Sequence, residues 1–277
     1  MRIRGPLTTL TAAAFLIAAA VVVTSASALD AQPLRFGISP GEIELVPGPG
    51  TTASGTLLVM NHTQNRVSFH VQVQDMFLRP AGELDVLPAG TMEWSVAKLT
   101  RVTPAEFDLD GKRAMPVRVT VTVPPDARGG RYGVIIVSPS PVLQAAPGRG
   151  TFSIVVPKLA ARLLVPVRGT EVVKGAITNM LVSARPNGKG ADIKLVFRNS
   201  GNVHVRALGE VLILNASGQQ VGKVQIPQAL VLPGTIREFR LSWDAQSLEP
   251  GAYTVRAVMD YGTDVLVAGE VGLVVRK

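Results

Sequence analysis

Histidine is the side chain best suited to acid–base chemistry or metal binding near neutral pH, and this chain carries three, His62, His70 and His204. His62 and His204 stand in or just past two equivalent turns, and His70 lies on the polar phase of a strand. No carboxylate or second histidine stands at ligand spacing, so all three are expected to be solvated. The chain has no Cys, which excludes thiolate nucleophiles, thiolate metal sites and disulfides. It contains no Gly-x-Ser-x-Gly elbow, no phosphate-cradling Gly-x4-Gly-Lys loop and no His-Glu-x-x-His helix. Asp108-x-Asp110-Gly111 opens like a calcium loop but lacks the Glu that would close it, and reads as a turn. The residue chemistry therefore predicts a non-catalytic protein with no metal and no cofactor.

What remains is binding. Trp94 follows a loop and is the candidate glycan contact, because an indole face can stack on a sugar ring; Trp243 stands in phase with Phe239 and Leu241 and is expected in a core. Lys and Arg number 28 against 20 Asp and Glu, a net charge of +8. Arg128, Arg131, Lys158 and Arg162 form the candidate basic surface, suited to peptidoglycan or another anionic envelope polymer through salt-sensitive attraction. Nucleic acid is not expected, since aromatics make up 5% of the chain and no stacking platform is interleaved with the charges.

These residues must be positioned by strands. Beyond residue 34 the chain alternates apolar and polar residues over short runs broken by Gly, Pro and Asn, the period of half-buried strands. Val117, Val119, Val121 and Val123 alternate with Arg118, Thr120 and Thr122, while Tyr132 to Ser138 is apolar on both phases and should be a central strand. Pro80-Ala81-Gly82-Glu83 reads as a hairpin turn. The plan then repeats. Asn199-Ser200-Gly201-Asn202 matches the turn at Asn61, Leu230-Val231-Leu232-Pro233-Gly234 matches Phe107 to Gly111, and Pro250-Gly251-Ala252-Tyr253 matches Gly129-Gly130-Arg131-Tyr132. The expected fold is all-β, two immunoglobulin-like β-sandwich domains in tandem at residues 33–168 and 175–277.

Ahead of them, residues 1–28 read as a cleaved signal peptide. Arg2 and Arg4 precede the uninterrupted apolar run Ala12 to Val23, which is short of a membrane span, and Ala26-Ser27-Ala28 supplies the small residues of a cleavage site. An exported protein, periplasmic or cell-wall associated, with no transmembrane segment in the mature chain, is the expectation.

Pro40 through the Asn61 turn, then Val102 to Lys112 and the valine-rich strand to Val123, resemble the amino-terminal domain of periplasmic pilus-assembly chaperones. Trp94-Ser95-Val96 to Val137, with Val123-Pro124-Pro125-Asp126-Ala127 and Gly130-Arg131-Tyr132-Gly133, is similar to the first domain of WxL-interacting envelope proteins. These resemblances imply a chaperone-like protein that engages a secreted or envelope protein subunit by strand addition along the last strand of the first domain. That strand falls between Phe152 and Val167, with Val155, Leu159, Ala161, Leu163 and Val165 on its apolar phase as the partner-binding residues. The two positions where the chaperone family holds its basic anchors are occupied by Phe36 and Leu164. The second resemblance implies the alternative, a peptidoglycan- or cell-wall-binding structural protein.

Overall fold

The structure is a computed structural model that describes residues 36–140, 157–185, 189–245 and 249–275. Residues 34–277 form one compact unit. Among the described residues, apart from a 3-10 turn at Ala97–Leu99, the regular elements are strands, as the period-2 pattern requires.

The first sandwich contains β1 (Phe36–Ser39), β2 (Glu42–Glu44), β3 (Thr52–Asn61), β4 (Val67–Leu78), β5 (Leu84–Leu87), β6 (Thr100–Thr103), β7 (Glu106–Leu109), β8 (Ala114–Thr122), β9 (Gly130–Pro139) and β10 (Leu159–Pro166). One sheet runs β1-β3-β8-β6; the other runs β2-β10-β9-β4, with β5 and β7 both pairing with β4. The chain crosses from the first sheet to the second through Pro40 and Gly41, so β1 and β2 each close an edge of a different sheet. Leu57, Val59, Val117, Val119 and Val121 face Val71, Ile135, Val137, Ala161 and Leu163 in a closed core. On the opposite phase of β3 and β8, hydroxyls pair across the strands, Thr52 with Thr122 at 2.9 Å and Ser54 with Thr120 at 3.0 Å. That phase is wet, as the alternation predicts.

The second sandwich packs the sheet of β11 (Gly175–Ala184), β12 (Ala191–Asn199) and β15 (Ile236–Trp243) on the sheet β14-β13-β16-β17, made of β13 (Val205–Leu214), β14 (Gln220–Val231), β16 (Gly251–Asp260) and β17 (Val267–Val275). Its core holds Ile193, Leu195, Phe197, Val211, Ile213, Phe239, Val255 and Ala257, with Trp243 among them as expected.

The repeat seen in the sequence is chemical as well as patterned. The Asn61 side-chain amide donates to Asn65 O at 2.8 Å and Leu109 O at 2.9 Å, and its Oδ1 accepts the Thr63 N–H. Asn199 donates to Val203 O at 2.8 Å and Val231 O at 2.9 Å, and its Oδ1 accepts the Gly201 N–H. Both are buried. Each asparagine thus closes its own turn and ties it to the strand leading into the Gly111 or Gly234 turn. Asn199→Ala strands two buried carbonyls and is expected to destabilise its sandwich by about 2–4 kcal/mol, whereas Asn61→Ala strands one, that of Leu109, because the Asn65 carbonyl is only part-buried, and is expected to cost about 1–3 kcal/mol. Urea unfolding of the two variants checks this, with the larger loss expected for Asn199→Ala and each loss falling in its own transition.

Candidate functional site

The last strand of the first sandwich carries four of the five partner-binding residues expected from the sequence. β10 pairs antiparallel with β9 through all eight residues, from Leu159 opposite Val137 to Pro166 opposite Gly130. On its other side β2 pairs with it in parallel, and only over Arg162, Leu163 and Leu164. Arg162 N–H donates to Gly41 O and Leu164 O accepts from Leu45 N–H, so even-numbered residues turn their backbone groups toward β2. By the same alternation Ala160 turns its N–H and C=O to that side, beyond the end of the β2 pairing. Ala160 is exposed. Among the described residues no strand pairs with this stretch of edge.

Side chains tell a different story. Ala161, Leu163 and Val165 are fully buried in the first core and Leu159 packs against it. The apolar phase of the strand fills its own closed sandwich, leaving the backbone of the Leu159–Ala161 stretch as its accessible part. Val155 lies outside the described residues, as does the proposed signal segment, residues 1–28.

The four basic residues are not gathered into one patch. Arg131 lies opposite Val165 at one end of the β9–β10 ladder and Lys158 precedes its other end, about 20 Å away along the strand. Arg128 is exposed in the turn before β9. Arg162 is engaged, its Nε 2.9 Å from Glu42 Oε2. Trp94 does not offer an open indole face: it is partly buried against an apolar cluster, and its Nε1 points at Met76 O, 3.4 Å away.

That cluster is the joint between the sandwiches. Residues directly opposite in a sheet share a face, so the row Tyr132–Leu164–Glu44 and the row Val134–Arg162–Glu42 project together from the outer side of the β2-β10-β9 sheet. Tyr132, Val134, Ile136 and Leu164, with Met76 and Leu78 of β4, bury against Leu230 and Leu232 of the second sandwich. Here lies the reason β9 is apolar on both phases. The longer segment of the first repeat, from Asp75 onward, serves the same joint: buried Asp75 accepts from Met92 N–H and Ser95 Oγ and so fixes the loop carrying Trp94. The predicted turn at Pro80–Glu83 closes the β4–β5 hairpin and reaches the second sandwich, where Pro80 O accepts Glu238 N–H at 2.8 Å.

Polar groups ring the apolar cluster. Arg206 of β13 donates to Glu42 Oε1 at 2.5 Å and to Glu44 Oε2 at 3.1 Å. Gly130 N–H donates to Asn202 O at 2.8 Å. At Gly129, φ is +68° and an added Cβ would stand 2.6 Å from Asn202 O, so only glycine fits this approach.

The structure corrects the expectation for His204. Its side chain is only 7% exposed, enclosed where the turn after Asn199 docks on β9. His204 N–H donates to Tyr132 Oη at 2.6 Å, Nδ1 lies 3.3 Å from the same oxygen, and Nε2 faces Glu44 Oε1 at 3.7 Å. Burial lowers the His204 pKa; Glu44 opposes the shift and Arg206 adds to it. Burial also raises the Tyr132 phenol well above its ordinary range, so it is a neutral O–H. Sequence spacing hid this site because its members come from β2, β9 and β13. The signal available was the two-faced apolarity of β9. His62 and His70 are exposed, as expected, with His70 Nδ1 3.2 Å from Glu106 Oε1 across the strand. Asp108 and Asp110 are both engaged by Arg66.

No helix among the described residues is long and apolar enough to cross a membrane. No protein-family model matches the chain, and no curated protein matches it in sequence. Among solved structures it is similar to a class 5 fimbriae chaperone, CfaA, at 14% identity over 85% of this chain and 98% of that one, with a TM-score of 0.46. It is similar to the Escherichia coli chaperone DraB at 16% identity over 85% and 96%, with a TM-score of 0.41. The third is the CsuC–CsuE chaperone–tip adhesion subunit pre-assembly complex of Acinetobacter baumannii, at 12% identity over 86% and 97%, with a TM-score of 0.43.

Proposed function

We propose that this protein is an exported, non-catalytic binding protein of the cell envelope, chaperone-like in that it holds a secreted protein partner by strand addition. The observation that carries this reading is the stretch of the β10 edge that no strand pairs with among the described residues. Its full ladder to β9 keeps the strand rigid, while β2 stops at Arg162 and leaves the Ala160 N–H and C=O facing outward. A partner segment adding here gains main-chain hydrogen bonds without opening the core. Exposed Lys158 beside the edge favours a partner segment of neutral or negative charge and discourages pairing with a second copy.

The test is Ala160→Pro. Proline removes the outward N–H of an edge residue and leaves the inward hydrogen bonds of Leu159 and Ala161 in place. In a capture experiment with envelope extract, the native chain is expected to retain a secreted subunit and the variant to lose it, with both showing the same unfolding midpoint. Protection of the Ala160 amide from exchange in the captured complex would place the partner on this edge. Equal capture by the variant, or retention of peptidoglycan fragments alone, would overturn strand addition; the latter would make the protein a wall-binding scaffold.

A further inference from the structure

The contact between Tyr132 and His204 is built so that one proton can break it. Tyr132 Oη accepts the His204 backbone N–H at 2.6 Å, which leaves the phenol's own proton to be donated; the group in reach is Nδ1 of the same histidine at 3.3 Å. The network therefore assigns His204 the tautomer with Nδ1 bare and the proton on Nε2, pointing at Glu44. A protonated imidazole carries N–H on both nitrogens and can no longer accept from Tyr132. The phenol proton would then be stranded, because Tyr132 is fully buried.

The charged groups around the ring do not rescue the cation. From β2, Glu44 attracts it across 3.7 Å, but Glu44 is 39% exposed and already holds Arg206, and Glu42 is shared between Arg206 and Arg162 of β10. From β13, Arg206 repels it, and from β9, Arg131 adds further positive charge near Tyr132. Tyr132 stands edge-on to the ring with centroids 5.6 Å apart, and Tyr132 itself is a member of the apolar cluster with Leu164, Leu230 and Leu232.

We propose that the joint between the two sandwiches is a proton-sensitive latch with His204 as its titrating group: proton uptake at Nδ1 breaks the Tyr132–His204 bond and loosens the second sandwich from the first. The latch is independent of the strand-addition reading. Its sign follows from the closed state. With the joint closed, burial holds the His204 pKa below the ordinary value of about 6.5; with it open, the ring is solvated and returns to that value. The open form thus binds the proton more readily. The latch is at full strength above pH ~6.5 and weakens as pH falls toward the closed-state value. For each unit separating the two pKa values, the open-to-closed ratio rises by up to about ten-fold.

The chain carries its own reporter. Trp94 packs on the joint and the second tryptophan, Trp243, lies in the second core, so Trp243→Phe leaves Trp94 as the single tryptophan, excited selectively beyond the tyrosine absorption. Acrylamide quenching of Trp94 is expected to rise as pH falls from 8 to 5, with a midpoint below the ordinary histidine value. In a His204→Gln background, which keeps an acceptor and cannot titrate, it should stay flat. Glu44→Gln removes the charge that favours the cation and should move the midpoint to lower pH. A flat profile in the native joint, or a rise that survives His204→Gln, would overturn the latch. A second readout avoids substitution at the joint: the chain has three histidines, and a His204 ring resonance titrating at the ordinary value while the Tyr132 contact persists would overturn it as well.

Discussion

Leu163→Asp is expected to unfold the first sandwich outright and to leave the second folded. Leu163 is fully buried and stands between Gly133 of β9 and Ile43 of β2, at the centre of the layer where the two sheets meet. Removing a buried leucine side chain costs about 2–5 kcal/mol, and a carboxylate in its place must be either desolvated or protonated, at further cost. The sum is comparable with the whole stability of a typical domain, about 5–15 kcal/mol. The second core contains no residue of the first sandwich, so a two-step urea transition should lose its first-domain component and keep the other. Retention of both transitions would mean that the core is not closed around β10. The result also bears on how binding can be probed. Loss of capture by a Leu163 variant would report unfolding, whereas Ala160 lies on the edge and can be changed without entering the core.

That distinction marks where the sequence was legible. The alternation of Leu159 to Val165 marks one phase of the strand as apolar, but an apolar phase reads the same whether it fills its own sandwich or a partner's. Only the facing residues decide, and Leu57, Val117, Val119 and Val121 come from strands of the opposite sheet, far away in sequence. Local chemistry was easier to read. Asn61 and Asn199 announce their turns because an asparagine side chain closes a turn with groups two to four residues away, and both do so with the same partners in the two repeats. The basic residues failed as a patch for the opposite reason: Arg131 and Lys158 look like neighbours of one surface in a charge count, yet the ladder holds them at opposite ends. His204 misled because a turn residue is ordinarily solvated, and this turn is covered by β9 of the first sandwich. One trace of that cover was present in the chain, the continuous apolar run of β9, which a strand with one wet face would not need.

Leu232→Asp should therefore separate what Leu163→Asp destroys. Leu232 is fully buried, yet it lies just past the end of β14 and belongs to the joint cluster rather than to the second core. A carboxylate there meets Tyr132, Val134 and Leu164, and losing one fully buried leucine together with the desolvation of the charge is worth about 3–5 kcal/mol of joint stability. Both sandwiches keep their cores. The expected product is a pair of folded but uncoupled domains, with the connecting residues 168–174 opened to protease. Those residues are held in the native protein by bonds to both sides: Arg168 N–H donates to Pro47 O, and Thr170 Oγ1 accepts from Gly129 N–H, while Thr170 O and Val172 O accept from Asn202. Limited proteolysis at neutral pH should cut the variant within this segment into two stable fragments and leave the native chain whole. A variant that resists cutting and scatters X-rays like the native protein would show that the polar contacts, Arg206 with Glu42 and Glu44, hold the joint without the apolar cluster. Those pairs are 21–39% exposed, and water screens them enough that the apolar contribution should dominate. If so, the acid-sensitive contact at His204 acts on a joint whose strength is set by Leu164, Leu230 and Leu232 and whose sensitivity is set by a single imidazole.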